Sequence, residues 1–144
     1  MSHTSTISSI DIEDINALVS AINELKSMGV NCDLLENKAP RAWSTNQEGM
    51  GVAPFVVKLN DAEYDIGLYA KAEGGYEART DFYGGSVEHV LGAEDDGADT
   101  DQAKLGKLYQ LYGKHAITRK AMEQGYSVSH VKKEDGSLQL QIAV

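Results

Sequence analysis

Cysteine, proline and long apolar runs are all scarce in this chain. Its single cysteine, Cys32, rules out an internal disulfide and suits a reducing, cytoplasmic setting. No apolar run approaches the ~20 residues that a membrane-crossing helix needs, so no membrane partner is expected. The opening Met-Ser-His-Thr-Ser-Thr-Ile-Ser-Ser is polar and has no basic stretch followed by an apolar one, so it is not expected to be a secretory signal. Histidines stand at 3, 89, 115 and 130, never as His-x-His or His-x-x-x-His, and no Cys/His cluster has zinc spacing. Neither a bound metal nor a cofactor is expected. Gly-x-Ser-x-Gly is absent, and Gly74-Gly75 lacks the Gly-Lys-Ser/Thr ending of a phosphate loop. Basic residues are also few. Thirteen Lys and Arg against 22 Asp and Glu leave a net charge of −9, which disfavours nonspecific binding to nucleic acid or anionic lipid. A local basic patch would still suit a small anion.

What is present is a three-strand pattern with two unlike faces. Residues 55–60, 63–70 and 76–83 alternate as strands do. One face collects Phe55, Val57, Leu59, Tyr64, Ile66, Leu68, Tyr76, Ala78 and Phe82, a core. The other collects Lys58, Asp65, Tyr69, Arg79, Asp81 and Tyr83. Turns at Asn60–Glu63 and Lys71–Gly75 set the register. Leu59 then meets Tyr64 and Ala70 meets Tyr76, with Lys58 opposite Asp65, Asp65 opposite Asp81, and Gly67 opposite Arg79. A one-residue slip would turn the core face to water, so this register should hold.

With 144 residues the chain is read as one domain, 1–144, with irregular loops at 36–54 and 92–101. A strand at 4–10 precedes an amphipathic helix that starts at an N-cap Asp11, carries Ile15, Leu18, Val19, Ile22 and Leu25, and stops at Gly29. Val30–Leu35 reads as a short strand. The 36–54 segment holds Pro40, Arg41, the lone Trp43 and Pro54. Trp43 packing over a core edge is the plain reading; closure over a ligand is the functional one. Ser86–Leu91 suggests a short helix. The acidic loop 92–101 lacks the residue order of a calcium loop and reads as solvated. A helix over 102–124 carries Leu105, Leu108, Tyr109, Tyr112 and Ala116, with His115 and Arg119 flanking. A closing hairpin spans Tyr126–Lys132 and Ser137–Val144, turning at Asp135-Gly136, with a bulge expected between Val128 and Val131.

This order, β-α-β, a β-meander, then α-β-β, predicts an α+β fold. It is a largely antiparallel sheet with two main helices packed on one face. Its other face is then left partly uncovered unless a partner, such as a second copy, lies on it.

Several stretches resemble one family. These are the opening Met-Ser-His with its strand and helix, Tyr64-Asp65-Ile66-Gly67, Tyr76-Glu77 leading to Asp81-Phe82-Tyr83-Gly84, the Tyr112 helix, Gln124-Gly125-Tyr126, and Glu134-Asp135-Gly136-Ser137-Leu138. Together they look like the hypothetical chloroplast reading frame thirty-five family of plastids, cyanobacteria and other bacteria, with phage relatives. Loops 36–54 and 92–101 depart from its compact pattern. The resemblance implies no catalytic residues.

Asp65 and Asp81, as cross-strand neighbours, would suit acid–base work, but Lys58 and Arg79 beside them suit a neutralised charge ladder better. Cys32 on a buried strand reads as inert. Lys104, Lys107, Lys114 and Lys120 spread around their helix as a solvated face. His115 and Arg119 align with the apolar stripe, where a guanidinium beside Tyr rings would suit a phosphate or carboxylate. The expectation is therefore a non-enzymatic binding module, homo-oligomeric, binding a small anionic ligand or a protein. Its candidate contacts are Arg79, Tyr83, Asp65, Asp81, Tyr69, Lys58, His115, Arg119, Arg41 and Trp43. For a phage member, sequestration of a nucleotide-like signal fits the aromatic–arginine face. The alternatives are an acid–base hydrolase or phosphodiesterase using Asp65, Asp81 and His115, and an adaptor subunit of a larger machine.

Overall fold

The computed structural model describes residues 4–41, 51–82, 85–92, 104–132 and 138–143. Among them the chain order is β1 (Thr4–Ile12), α1 (Ile15–Ser27), β2 (Cys32–Lys38), β3 (Ala53–Leu59), β4 (Ile66–Ala70), β5 (Tyr76–Asp81), α2 (Ser86–Leu91), α3 (Gly106–Glu123), β6 (Ser127–Lys132) and β7 (Leu138–Ala143).

Five strands form one sheet in the order β1-β5-β4-β3-β2, antiparallel at every junction. The fold is α+β. β1 and β2 occupy opposite edges, so α1 carries the chain from one edge to the other. The meander register is the one the alternation predicts. Phe55 faces Leu68, Val57 faces Ile66, Gly67 faces Arg79, and Ala70 faces Tyr76. The apolar set of that face enters one cluster with buried residues of both long helices: Leu18, Ile22 and Leu25 from α1, and Leu108, Leu111 and Tyr112 from α3. Burying a Leu or Ile side chain contributes roughly 1.5–3 kcal/mol each, so this shared cluster fixes where the helices sit.

Four local readings change. Asp14, not Asp11, caps α1: its carboxylate accepts the Ala17 N–H at 3.1 Å, while β1 runs on to the fully buried Ile12. The strand after α1 extends to Lys38, so β2 takes the first residues of the irregular segment. Gly106, later than expected, opens α3. The hairpin has no bulge. β6 and β7 pair one to one from Ser127↔Ala143 to Lys132↔Leu138, so Val128 and Val131 take positions of opposite parity, facing Ile142 and Gln139. Trp43, Tyr83, the acidic stretch 93–101 and the Asp135-Gly136 turn lie outside the described residues.

The second sheet face is partly covered by the chain itself. Val56, Asp65, Gly67 and Asp81 on it are all buried. The return of the chain from β2 covers them in part, with Pro40 buried against Gly67.

Candidate functional site

The polar face is organised around Gly67. A Cβ at this position would come within 2.6 Å of Tyr69 Cε2 and 3.1 Å of Pro40 Cγ, so only glycine admits the ring that lies over it. The Tyr69 hydroxyl donates to the Gly51 carbonyl at 2.9 Å. Burial pushes the Tyr69 phenol up, with the Arg79 charge pulling the other way, so the hydroxyl stays a neutral donor. Arg79, across from Gly67, lays its guanidinium over the same ring, 4.4 Å from the centroid. Glu77, two residues back on the same face, accepts from Arg79 Nη2 at 2.9 Å. The side chain of Arg79 is 27% exposed. Its guanidinium is thereby fixed in plane between a ring and a carboxylate, at the surface of an otherwise covered face.

Asp65 does something else. Its carboxylate takes Arg41 Nη2 at 2.7 Å, Arg41 Nε at 3.1 Å, and the backbone N–H groups of Arg41 and Leu59 at 2.9 and 3.1 Å. Its backbone N–H in turn donates to the Arg41 carbonyl at 3.0 Å, and Thr80 Oγ1 donates to its carbonyl at 2.8 Å. Arg41 Nη2 also reaches the Leu59 carbonyl. Asp65 is only 3% exposed, so these donors balance a charge that burial would otherwise make costly.

The expected ladder therefore changes at Asp65. Arg41, read as a loop contact for a ligand, is the partner of Asp65. Lys58 stands across from Asp33 in the β2–β3 ladder. Asp81 is 2% exposed. Sequence adjacency favours cross-strand neighbours; it could not show that residue 41 returns onto β4.

His115 and Arg119 do not join this face. His115 Nε2 lies 2.8 Å from Glu24 Oε1, beside Lys114 Nζ at 3.0 Å. Arg119 Nε donates to Asp14 at 2.8 Å. Tyr112 adds a third tie, its hydroxyl accepting the N–H groups of Glu13 and Asp14 at 2.9 and 3.1 Å. Burial alone would raise the Glu24 carboxyl, but hydrogen bonds from Lys114 and His115 outweigh it and hold it below the ordinary value. At Asp14 burial is likewise outweighed, here by Arg119 and the Ala17 N–H. These residues clamp α3 to α1. Lys114, read as solvated, belongs to the same clamp.

Cys32 is buried, its thiol 4.0 Å from the Ile22 carbonyl, and burial pushes that thiol up, away from the nucleophilic thiolate. Among the described residues no group of three or more His, Cys, Asp or Glu is placed to hold a metal ion. No helix among them is long and apolar enough to cross a membrane.

Sequence reading missed a groove of about 330 Å³ between α1 and the β2–β3 edge, lined by Ile15, Val19, Ile22, Leu34 and Phe55 with Lys26 and Glu36 on its rim. Val19, assigned to the buried stripe, is 41% exposed here, and Ala17 and Ala21 are buried in its place. None of the eight described candidate contacts lines it.

A family model described as "Protein of unknown function (DUF1257)" matches residues 24–141. The chain belongs to the DUF1257 family. The matched stretch begins inside α1 and runs through β2–β5, α2, α3, β6 and most of β7. It thus contains every one of the ten candidate contacts, and it leaves β1 and the capped start of α1 outside. No curated protein and no solved structure matches the chain. What a DUF1257 protein does must therefore be argued from its geometry.

Proposed function

We propose that this chain is a non-enzymatic binding module that holds a small anionic, nucleotide-like ligand at the rim of the polar sheet face. One observation carries the reading: the Arg79 guanidinium stacked on the Tyr69 ring at 4.4 Å, pinned by Glu77 and still partly exposed. A stacked guanidinium keeps a fixed fork direction, which suits bidentate capture of phosphate or carboxylate. An incoming anion would share or take over the place of Glu77.

The acid–base reading draws less support. Asp65 is saturated by Arg41 and backbone donors, and His115 is held by Glu24 in the helix clamp rather than beside Asp65. Within the family, kinship with the plastid reading-frame-thirty-five proteins and their phage relatives is part of our reading, and a phage setting suits sequestration of a signal. Because Pro40 and Arg41 already cover this face in part, our reading puts the homo-oligomer contact elsewhere. Thermal unfolding with a panel of nucleotides and other small phosphates tests the proposal. A bound ligand raises the midpoint in proportion to RT ln(1 + [L]/Kd). A shift with intact ligand recovered supports sequestration, altered ligand supports an enzyme, and no shift across the panel counts against both.

A further inference from the structure

β6 and β7 form a two-stranded sheet of their own, and such hairpins are marginal in water without further cover or strands. Val128 is half-buried and faces Ile142, which is 50% exposed. An apolar position of the hairpin is thus left partly open. Among the described residues β7 pairs only with β6, so its outer backbone edge is unpaired.

The other edges carry the devices that stop strands from pairing with a second chain. β1 holds Asp11 and a register shift between Ile7 and Ile12. β2 holds Asp33, Glu36 and Lys38. β6 holds Lys132. β7 reads Leu-Gln-Leu-Gln-Ile-Ala, with no charge and no proline, in a chain that is 24% charged. The strand is also self-complementary. An antiparallel pair of two β7 strands about a two-fold axis must centre on a single residue, because a half-step would put like residues on opposite faces. Centred on Leu140, it sets Leu140 against Leu140, Leu138 against Ile142, and Gln139 against Gln141. Apolar positions meet apolar ones, and amides meet amides.

We propose that β7 is the homodimer edge of this protein, pairing antiparallel with β7 of a second copy to make a four-stranded sheet from two hairpins. The occupant is a second copy of this chain, because an uncharged strand meets its own copy without setting like charges opposite each other. The site is independent of the Arg79–Tyr69 reading. Six residues per strand make a small interface, so the dimer should be of modest affinity.

Sedimentation equilibrium at high micromolar protein tests this, with the expected mass twice the 15.6 kDa of one chain. Q139K/Q141K sets like charges opposite each other and should weaken the dimer roughly ten-fold or more, while Q139E/Q141K should restore it. Leu140→Cys should crosslink two copies on mild oxidation, since facing strand residues lie roughly 4.5–5.5 Å apart at Cα, within disulfide reach. A single-chain mass for the wild type would overturn the proposal. So would a dimer of undiminished affinity in Q139K/Q141K with an unchanged circular dichroism spectrum, or a dimer in which the Leu140→Cys protein forms no crosslink.

Discussion

Arg41 Nη2 lies 2.7 Å from Asp65 Oδ1, while the backbone N–H of each residue is taken by the other's oxygen. The pair closes a loop between the end of β2 and the start of β4. It also neutralises a deeply buried carboxylate of the polar face, in what sequence alone reads as a ligand surface. The recognition element proposed here, Arg79 on Tyr69, lies on the same sheet face, where Pro40, the residue before Arg41, and the Tyr69 ring both border Gly67.

Removing Asp65 should therefore cost stability. Asp65→Ala strands the N–H groups of Leu59 and Arg41 and leaves a half-covered guanidinium without its acid. A loss of roughly 3 kcal/mol is expected, read as a lower urea midpoint at unchanged m-value. If Asp65 were a solvated ladder residue, the change would stay within about 0.5 kcal/mol.

Gly67→Ala should displace Tyr69. The added methyl would sit 2.6 Å from Tyr69 Cε2 and 3.1 Å from Pro40 Cγ. Overpacking of this kind typically costs about 1–3 kcal/mol. Because the ring carries Arg79, any ligand affinity should fall with it. Calorimetric unfolding of the variant beside Gly29→Ala, which meets no atom within 4 Å but sits at φ +97°, would separate packing from backbone strain.

The helix clamp should be sensitive to acid. Glu24 and Asp14 are both held below their ordinary values of 4.5 and 3.8, so the folded state binds protons less readily than the unfolded one. Their contribution is complete above those values and is lost as pH falls through the depressed folded ones. Chemical denaturation from pH 6 down to about pH 3 should show falling stability, and Glu24→Gln should flatten that slope. An identical slope in the variant would remove Glu24 from the account.

Tyr112→Phe keeps the buried ring but deletes the acceptor for the Glu13 and Asp14 N–H groups. A cost of roughly 1–3 kcal/mol is expected from equilibrium unfolding, despite the conservative swap. A neutral result would show that solvent serves those donors equally well.

The meander was legible because alternation and turn length together leave one register that buries Val57, Ile66, Leu68 and Ala78 at once. The short helix at Ser86–Leu91 and the left-handed stop at Gly29 were legible for the same local reasons. Asp14 lost the cap to Asp11 in sequence because both acids stand before the same apolar run. What decides between them is how far β1 pairs with β5, and Ile12 facing Tyr76 is a nonlocal fact. Arg41–Asp65 and His115–Glu24 span 24 and 91 residues, and no periodicity encodes such distances. The charged side chains of the polar face could thus be read as strand positions but not as pairs. Only Gly67 against Arg79 followed directly from register.

Titration calorimetry on wild-type protein and Arg79→Lys, with the nucleotide that gives the largest thermal shift, tests the central claim most directly. Lysine keeps the charge but loses the planar fork and its stacking on Tyr69. The account predicts a folded variant whose affinity drops by ~1–3 kcal/mol, the scale of a charge-assisted hydrogen bond. Equal affinity in the two proteins would contradict it, and would leave Arg79 with no part in ligand binding.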